Sequence, residues 1–272
     1  MAAESLASIP VDGVRIAYRR VGVGPPLLVL NGFAATSADW DPSFIHGVAS
    51  SNELILLDHR GIGNSTDDGK PFDITQLADD AAHAMETLGF DRISVLGWSM
   101  GGFVAQTLAL QHPGRGNKLV LLSTDLGGAD ADLTSPAVGH NSWIHPARLA
   151  NRLAGCCSCF FRAIWPKLFY RQFGNIVAAA RARLSADLVN RQAAAMDAWH
   201  RNGVGNRLRE IGAPVLIATG AQDIVIPPSN ALKLVNAIPG AWLAQFPGGG
   251  HAFMAQYPRP LADLINGFLA LG

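Results

Sequence analysis

The segment whose residue types best suit chemistry is a serine flanked by glycines, Gly97-Trp98-Ser99-Met100-Gly101. An apolar, strand-like run precedes it and helix-forming residues follow it. A serine at such a tight strand-to-helix turn is exposed above the sheet, and the glycines remove side chains that would clash with the turn. Ser99 is therefore predicted to be a nucleophile, and its hydroxyl needs a base to accept its proton.

In this setting the motif resembles the nucleophile elbow of the α/β-hydrolase superfamily. The resemblance covers nearly the whole chain apart from residues 126–209. Residues 219–227 resemble the family's acid loop and place Asp223 after a strand-like run, and three glycines precede His251 near the C-terminus. The order Ser99, Asp223, His251 is the order that the resemblance implies for a triad. His251 would accept the Ser99 proton, and Asp223 would fix the imidazole tautomer.

The acid and the base each allow a second interpretation. Asp223 is also typical of a turn residue beside two prolines, and His251 of a polar loop residue. Asp125 follows the strand-like run at residues 119–122 and is a substitute for the acid. The ordered spacing of all three groups favours Asp223.

Residues 27–33 resemble the family loop that supplies one amide of an oxyanion hole. The Phe33 N–H is the candidate donor, and the Met100 N–H, directly after the nucleophile, is the second. The commonest family pattern has a histidine before the glycine of this loop, whereas this chain has Asn31. Asn31 either replaces a structural hydrogen bond, faces the substrate, or is an asparagine tolerated in a turn. Together with Trp98 and Phe253, it is a candidate for the substrate pocket.

Two further motifs suggest other chemistry only weakly. Residues 58–65 resemble a family signature and are interpreted as structural. Their Gly-x-Gly lacks the third glycine of a dinucleotide loop, so no cofactor is predicted. Two histidines and a cysteine cluster further along the chain could in principle form a zinc site. Phenylalanines follow the cysteines directly, which favours thiols packed on an apolar helix. No metal is therefore predicted. The histidines and cysteines are His140, His145, Cys156, Cys157 and Cys159.

The elements that must position these groups are short apolar runs separated by helix-forming segments. The runs occupy residues 14–18, 27–30, 54–57, 93–96, 119–122, 215–218 and 242–246. Their alternation with helices predicts an α/β fold with a mainly parallel central sheet and helices on both faces, and an antiparallel edge at its start. The alternation of strand-like runs and helix-forming segments ends after residue 125. This predicts a helical cap at 126–209, inserted into a core of residues 1–125 and 210–272.

Composition limits the classes of partner. The chain has 272 residues, 49% of them hydrophobic, with 21 Lys+Arg against 21 Asp+Glu. The balanced charge favours neither nucleic acid nor an anionic membrane surface. Residues 93–114 carry no formal charge, but their glycines and polar residues predict a strand, turn and helix rather than a membrane span. The N-terminus does not resemble a secretory signal, so a cytoplasmic location is predicted.

The identity of residue 99 separates reaction classes within the resemblance. Dehalogenases and epoxide hydrolases of this fold use an aspartate nucleophile, and this chain has Ser99. The resemblance implies a serine hydrolase that needs no cofactor and acts on a small, apolar ester, lactone or thioester. Alternatives are a cofactor-free perhydrolase (haloperoxidase), a carbon–carbon bond hydrolase, and a slow-turnover receptor that retains the triad.

Overall fold

Eight strands form one sheet at the centre of the protein. The computed structural model describes residues 5–133 and 184–271. The strands are β1 (Ser5–Val11), β2 (Val14–Val21), β3 (Pro26–Leu30), β4 (Glu53–Leu57), β5 (Ile93–Trp98), β6 (Gly116–Leu122), β7 (Val215–Gly220) and β8 (Trp242–Phe246). Their spatial order is β1-β2-β4-β3-β5-β6-β7-β8. β2 runs antiparallel to both β1 and β4, and all other neighbours are parallel. The mainly parallel sheet with an antiparallel edge is confirmed.

Helices cover both faces of this sheet. They are α1 (Pro42–Val48), α2 (Ile74–Thr87), α3 (Met100–Gln111), α4 (Ala186–Asn202), α5 (Ser229–Ala237) and α6 (Pro258–Ala270). Alternate side chains of each strand enter opposite layers, as the two-residue period of a strand requires. Leu28 and Leu30 join the apolar cluster that contains α2, α3 and α5, whereas Leu27 and Val29 join the cluster with α1 and α6.

All seven strand-like runs of the sequence lie within strands β2 to β8. The strand β1 was not predicted. It is an edge strand that contains Pro10 and exposes Ser5, Leu6 and Ala7, so it lacks the apolar run that marks the central strands. The uncharged segment at 93–114 folds as β5, the turn at Ser99 and α3. No helix within the described ranges is long and apolar enough to cross a membrane.

The part of the predicted cap that the structure describes is dominated by α4. Its first turn is capped by the Ser185 hydroxyl, which accepts the Leu188 N–H at 3.1 Å. The chain meets the core again where the Val204 N–H donates to the Leu126 carbonyl at 3.0 Å. Residues 134–183, with the cysteine cluster and the two histidines of the zinc hypothesis, lie outside the described residues. The division into core and cap stays a prediction.

Candidate active site

Ser99 stands between β5 and α3 in a left-handed backbone conformation, with φ of 56°. A Cβ atom at Gly97 would overlap the Gly101 carbonyl, and one at Gly101 would overlap the Leu30 carbonyl. Both glycines therefore allow the backbone to pack closely at the turn. The Thr124 hydroxyl donates to the Ser99 carbonyl at 3.0 Å and holds the turn against the end of β6.

The side chains of His251 and Asp223 form a buried pair. The His251 Nδ1 lies 2.9 Å from the Asp223 Oδ2, and the two side chains are 1% and 0% exposed. The other carboxylate oxygen accepts the N–H groups of Val225 and Ile226 at 2.9 and 3.0 Å. Asp223 is thus held from both oxygens, which leaves the His251 Nε2 as the ring nitrogen that can take part in proton transfer.

The loops after β7 and β8 bring this pair together, because the two strands are neighbours in the sheet. The Ala221 N–H donates to the Phe246 carbonyl at 2.9 Å, and the Gln222 N–H donates to the Gly249 carbonyl at 2.8 Å. A Cβ atom at Gly220 would overlap the Gly249 carbonyl. Close backbone packing of the two loops therefore aligns the acid with the histidine.

Asp125, the alternative acid, is committed elsewhere. Its Oδ1 accepts the Trp199 indole N–H at 3.0 Å and the Gly127 N–H at 2.8 Å. Its Oδ2 lies 3.2 Å from the His200 Nε2. Of the two acids that the sequence left open, Asp223 is the one hydrogen-bonded to His251.

Residues 32–35 form a tight turn beside the serine, which we call the oxyanion turn. The Ala35 N–H donates to the Gly32 carbonyl at 3.2 Å, and Ala34 has a φ of 51°. A Cβ atom built at Gly32 would lie 3.4 Å from the Ser99 Cβ, so the turn abuts the nucleophile. Met100 is the first residue of α3, and its N–H therefore has no acceptor within the helix. The assignment of Phe33 and Met100 to an oxyanion hole stays a prediction.

The three side chains proposed for the substrate pocket have different surroundings. Asn31 is fully buried; its Nδ2 donates to the Leu57 carbonyl at 2.8 Å, and its Oδ1 accepts the Trp40 indole N–H at 2.7 Å. Phe253 is also fully buried, and its ring packs 5.1 Å from that of Phe246. Both polar ends of Asn31 are hydrogen-bonded within the protein and Phe253 packs in the apolar core, which agrees with a structural contribution of each side chain. The place of Asn31 and Phe253 in the substrate pocket stays a prediction.

Trp98 lies between other aromatic rings and keeps a small exposed surface of 9%. Its ring centroid is 5.7 Å from that of Trp40 and 5.5 Å from that of His251. Its indole N–H donates to the His251 carbonyl at 3.0 Å. Trp98 remains a pocket candidate through its ring face and also connects the elbow to the loop after β8 that carries His251, which we call the histidine loop.

The segment at residues 58–65 is held by buried polar contacts. The Asp58 carboxylate accepts the Ser37 N–H at 2.6 Å and the Asn64 N–H at 3.3 Å, while burial raises the pKa of this carboxyl. The His59 Nε2 lies 3.2 Å from the Asn31 carbonyl, and burial lowers the pKa of its imidazole. Arg60 makes a two-pronged ion pair with Asp80 at 2.7 and 2.5 Å. These contacts agree with a structural role in supporting the oxyanion turn.

A model of the alpha/beta hydrolase fold matches residues 25–256 of the chain. The protein belongs to the α/β hydrolase fold family. The match includes the elbow, the acid loop and the histidine loop, which follows β8 and carries His251. The resemblance that its motifs suggested is thereby confirmed.

Individual relatives of this α/β hydrolase carry several names. It is 27% identical over 257 residues to a putative carbamate hydrolase RutD of Azorhizobium caulinodans, covering 92% of this chain and 93% of that one. It is 27% identical to Est816, described as an N-acyl homoserine lactone degrading enzyme, with a TM-score of 0.78 over 96% of this chain and 100% of the other. The esterase RhEst1 of Rhodococcus sp. ECU1013 shares the fold, with 22% identity and a TM-score of 0.84 over 99% of each chain.

Sequence analysis missed two polar side chains that hold residues 31–35. Trp40 holds Asn31, and Gln192 in α4 accepts the Ala34 N–H at 2.8 Å. A signal for Gln192 was present, since it is the one polar member of the buried face of α4. Among the described residues no cluster of three or more potential metal ligands occurs.

Proposed function

We propose that this α/β hydrolase is a serine hydrolase that cleaves a carboxylic ester or lactone through an acyl-Ser99 intermediate. The observation that carries the proposal is the buried hydrogen bond between His251 and Asp223, held by loops at the same end of the sheet as the Ser99 elbow. A histidine fixed by a buried carboxylate is the arrangement that a serine nucleophile needs as its base.

The reaction divides into acylation and deacylation. The His251 Nε2 removes the proton from the Ser99 hydroxyl as its oxygen attacks the substrate carbonyl carbon. The carbonyl oxygen becomes an oxyanion that accepts the N–H groups of Phe33 and Met100. His251 then gives its proton to the leaving alcohol oxygen, and the bond between that oxygen and the carbonyl carbon breaks. In deacylation His251 removes a proton from water, whose oxygen attacks the acyl carbon. The bond to Ser99 then breaks, which releases the carboxylic acid and restores the Ser99 hydroxyl.

Two features support the role of the Met100 amide. It is the first N–H of α3, a position where the helix dipole also favours negative charge. The amide is fixed by the same turn that holds Ser99, whose carbonyl accepts the Gly102 N–H at 2.8 Å. A donor fixed before the charge develops needs no reorganisation during the reaction.

A carbamate is the second candidate substrate class. Its carbonyl is attacked by the same nucleophile, and the leaving group is an amine or an alcohol. The relative named putative carbamate hydrolase aligns with 92% of this chain and is the observation that favours it. The small apolar substrate and the cytoplasmic location expected from the sequence belong to the same proposal.

The test combines turnover with labelling of the nucleophile. The wild type, Ser99→Ala and Ser123→Ala are assayed with p-nitrophenyl esters of short and medium chain length, an acyl homoserine lactone and an aryl carbamate. Each protein is also treated with a fluorophosphonate, and the labelled peptide is identified by mass spectrometry. Ser123 is a buried serine at the end of β6 and serves as the matched control.

We expect turnover and labelling in the wild type and in Ser123→Ala, and neither in Ser99→Ala. The substrate with the highest kcat/KM decides between ester, lactone and carbamate. Acyl transfer to added hydrogen peroxide faster than to water would favour a perhydrolase. Labelling without turnover of any substrate would favour a receptor, and absence of labelling at Ser99 would overturn the proposed triad.

A further inference from the structure

Gln192 is an unusual member of the buried face of α4. Its side chain is fully buried, and the other buried side chains of this helix are all apolar except for the indole N–H of Trp199. These neighbours are Leu188, Val189, Ala195 and Trp199. A primary amide has an acceptor end and a donor end, and burial without partners is costly for each. The two ends of Gln192 therefore need separate explanations.

The acceptor end holds the oxyanion turn in one conformation. The Gln192 Oε1 accepts the Ala34 N–H at 2.8 Å across 158 positions of sequence. Ala34 is the third residue of the turn and has a positive φ, whereas Phe33 before it does not. This combination is typical of a type II turn. In a type I turn the central peptide is rotated, and its N–H points away from this side.

This choice of conformation matters because the turn carries the Phe33 amide. The Phe33 N–H belongs to the peptide between Gly32 and Phe33, whose carbonyl accepts the Ala35 N–H, so the turn that Gln192 holds also holds this amide. Alanine is a poor residue for the left-handed position, which glycine adopts at no steric cost. The hydrogen bond from Gln192 offsets that cost and keeps the turn in place beside Ser99.

The donor end points to a ligand. The Gln192 Nε2 is buried and has no hydrogen-bond partner in the part of the chain that the structure describes. It belongs to the same planar amide as the oxygen that contacts the oxyanion turn, so it lies beside that turn. An oxygen atom of a bound substrate would satisfy it.

We propose that Gln192 has two roles, positioning the oxyanion turn through Oε1 and orienting the substrate through Nε2. The Nε2 donates to an acceptor oxygen that the substrate carries near its scissile carbonyl. The preferred substrates are therefore acyl compounds with an ether, hydroxyl or carbonyl oxygen in the acyl part, rather than plain alkanoyl esters. This inference rests on the proposed serine-hydrolase function and extends it to substrate class.

A pair of substrates of equal size tests the donor role. The acyl groups of p-nitrophenyl methoxyacetate and p-nitrophenyl butanoate have the same number of heavy atoms and differ by one ether oxygen in place of a methylene. The ratio of their kcat/KM values, corrected by the ratio for hydroxide hydrolysis, is measured from pH 6 to pH 9. The proteins are the wild type, Gln192→Met, Gln192→Glu and Asn190→Asp. Asn190 is exposed on the same helix and provides the matched amide-to-acid control.

We expect Gln192→Met, which lacks both ends, to lower kcat for butanoate about tenfold or more while KM changes less than about threefold. Gln192→Glu keeps an acceptor for the Ala34 N–H, so its loss of kcat for butanoate is expected to be smaller than that of Gln192→Met. Its preference for methoxyacetate falls at least about fivefold at pH 9, and less at pH 6, because a carboxyl donates only while protonated. Asn190→Asp behaves as the wild type.

Three results would overturn the inference. Wild-type kcat in Gln192→Met would show that the turn needs no anchor from α4. A methoxyacetate preference unchanged in both Gln192 variants would remove the donor role. Equal losses of kcat on both substrates in both variants, together with lower melting temperatures, would indicate a purely structural residue. A wild type that is neither active on esters nor labelled at Ser99 would instead overturn the proposed function on which the inference rests.

Discussion

The indole N–H of Trp98 donates to the main-chain carbonyl of His251 at 3.0 Å. This contact joins the residue before the candidate nucleophile to the candidate base, which lie 153 positions apart in the chain. Trp98 therefore connects the loop that carries His251 to the elbow. The relative position of nucleophile and base therefore depends on an aromatic side chain as well as on the strands.

Replacing Trp98 by phenylalanine keeps most of the ring packing and removes this hydrogen bond. We expect Trp98→Phe to lower kcat about fivefold, which corresponds to one hydrogen bond of about 1 kcal/mol, with the fold retained. Steady-state kinetics with a p-nitrophenyl ester give the value. Trp242→Phe is the control, because Trp242 is an exposed tryptophan on β8. Equal kcat values in the two variants would contradict the role of the Trp98 N–H.

The acid of the triad can be assigned by a matched pair of variants. Asp223→Asn preserves the size of the side chain but offers His251 an amide, which favours the wrong tautomer; we expect kcat to fall about 10⁴-fold. Asp125→Asn is expected to lower the melting temperature, because its carboxylate accepts three hydrogen bonds or contacts, while kcat stays within about tenfold. The reverse order of the two kcat losses would make Asp125 the acid.

Substituting two glycines in helices distinguishes the cost of crowding a packed position from the benefit of reducing backbone flexibility. Gly101→Ala places a Cβ atom against the Leu30 carbonyl, and we expect a loss of about 3 kcal/mol or more in the free energy of unfolding. Gly267→Ala on the exposed side of α6 meets no atom within 4 Å and should stabilise the protein by about 0.5–1 kcal/mol. Urea denaturation of both variants measures these changes. A Gly101→Ala protein as stable as the wild type would show that the elbow can relax.

His59 makes stability depend on pH. Burial lowers the pKa of its imidazole below 6.5, so the unfolded chain binds a proton more readily than the folded one, and stability falls as the pH decreases below about 6.5. The Asn31 carbonyl and the Asp80 carboxylate oppose this shift without cancelling it. The free energy of unfolding is measured by urea denaturation from pH 5 to pH 8. In His59→Gln the free energy of unfolding should decrease less steeply as the pH falls, by up to about 1.4 kcal/mol per pH unit. The exposed His46→Gln should keep the wild-type slope.

Sequence reasoning predicted the strands and the strand-turn-helix around Ser99 because their signal is local. The elbow and the acid loop each combine a strand-like run with a turn in a few consecutive residues, and the order of Ser99, Asp223 and His251 follows from the resemblance. Contacts between distant segments were not visible in this way. The burial of Asn31 depends on Trp40 and Leu57, and the anchor of the oxyanion turn comes from Gln192, 158 positions after Ala34. Pairing of this kind depends on packing rather than on periodicity.

The crossing point between Leu126 and Val204 has a consequence for how this hydrolase can be altered. The Val204 N–H donates to the Leu126 carbonyl, and a Cβ atom at Gly203 would lie 2.5 Å from the Gly127 backbone, so the backbone segments at residues 126–127 and 203–204 lie in direct contact. We expect that any segment exchanged between these two glycines must keep Gln192 and Trp199, because their side chains contact Ala34 and Asp125 outside it.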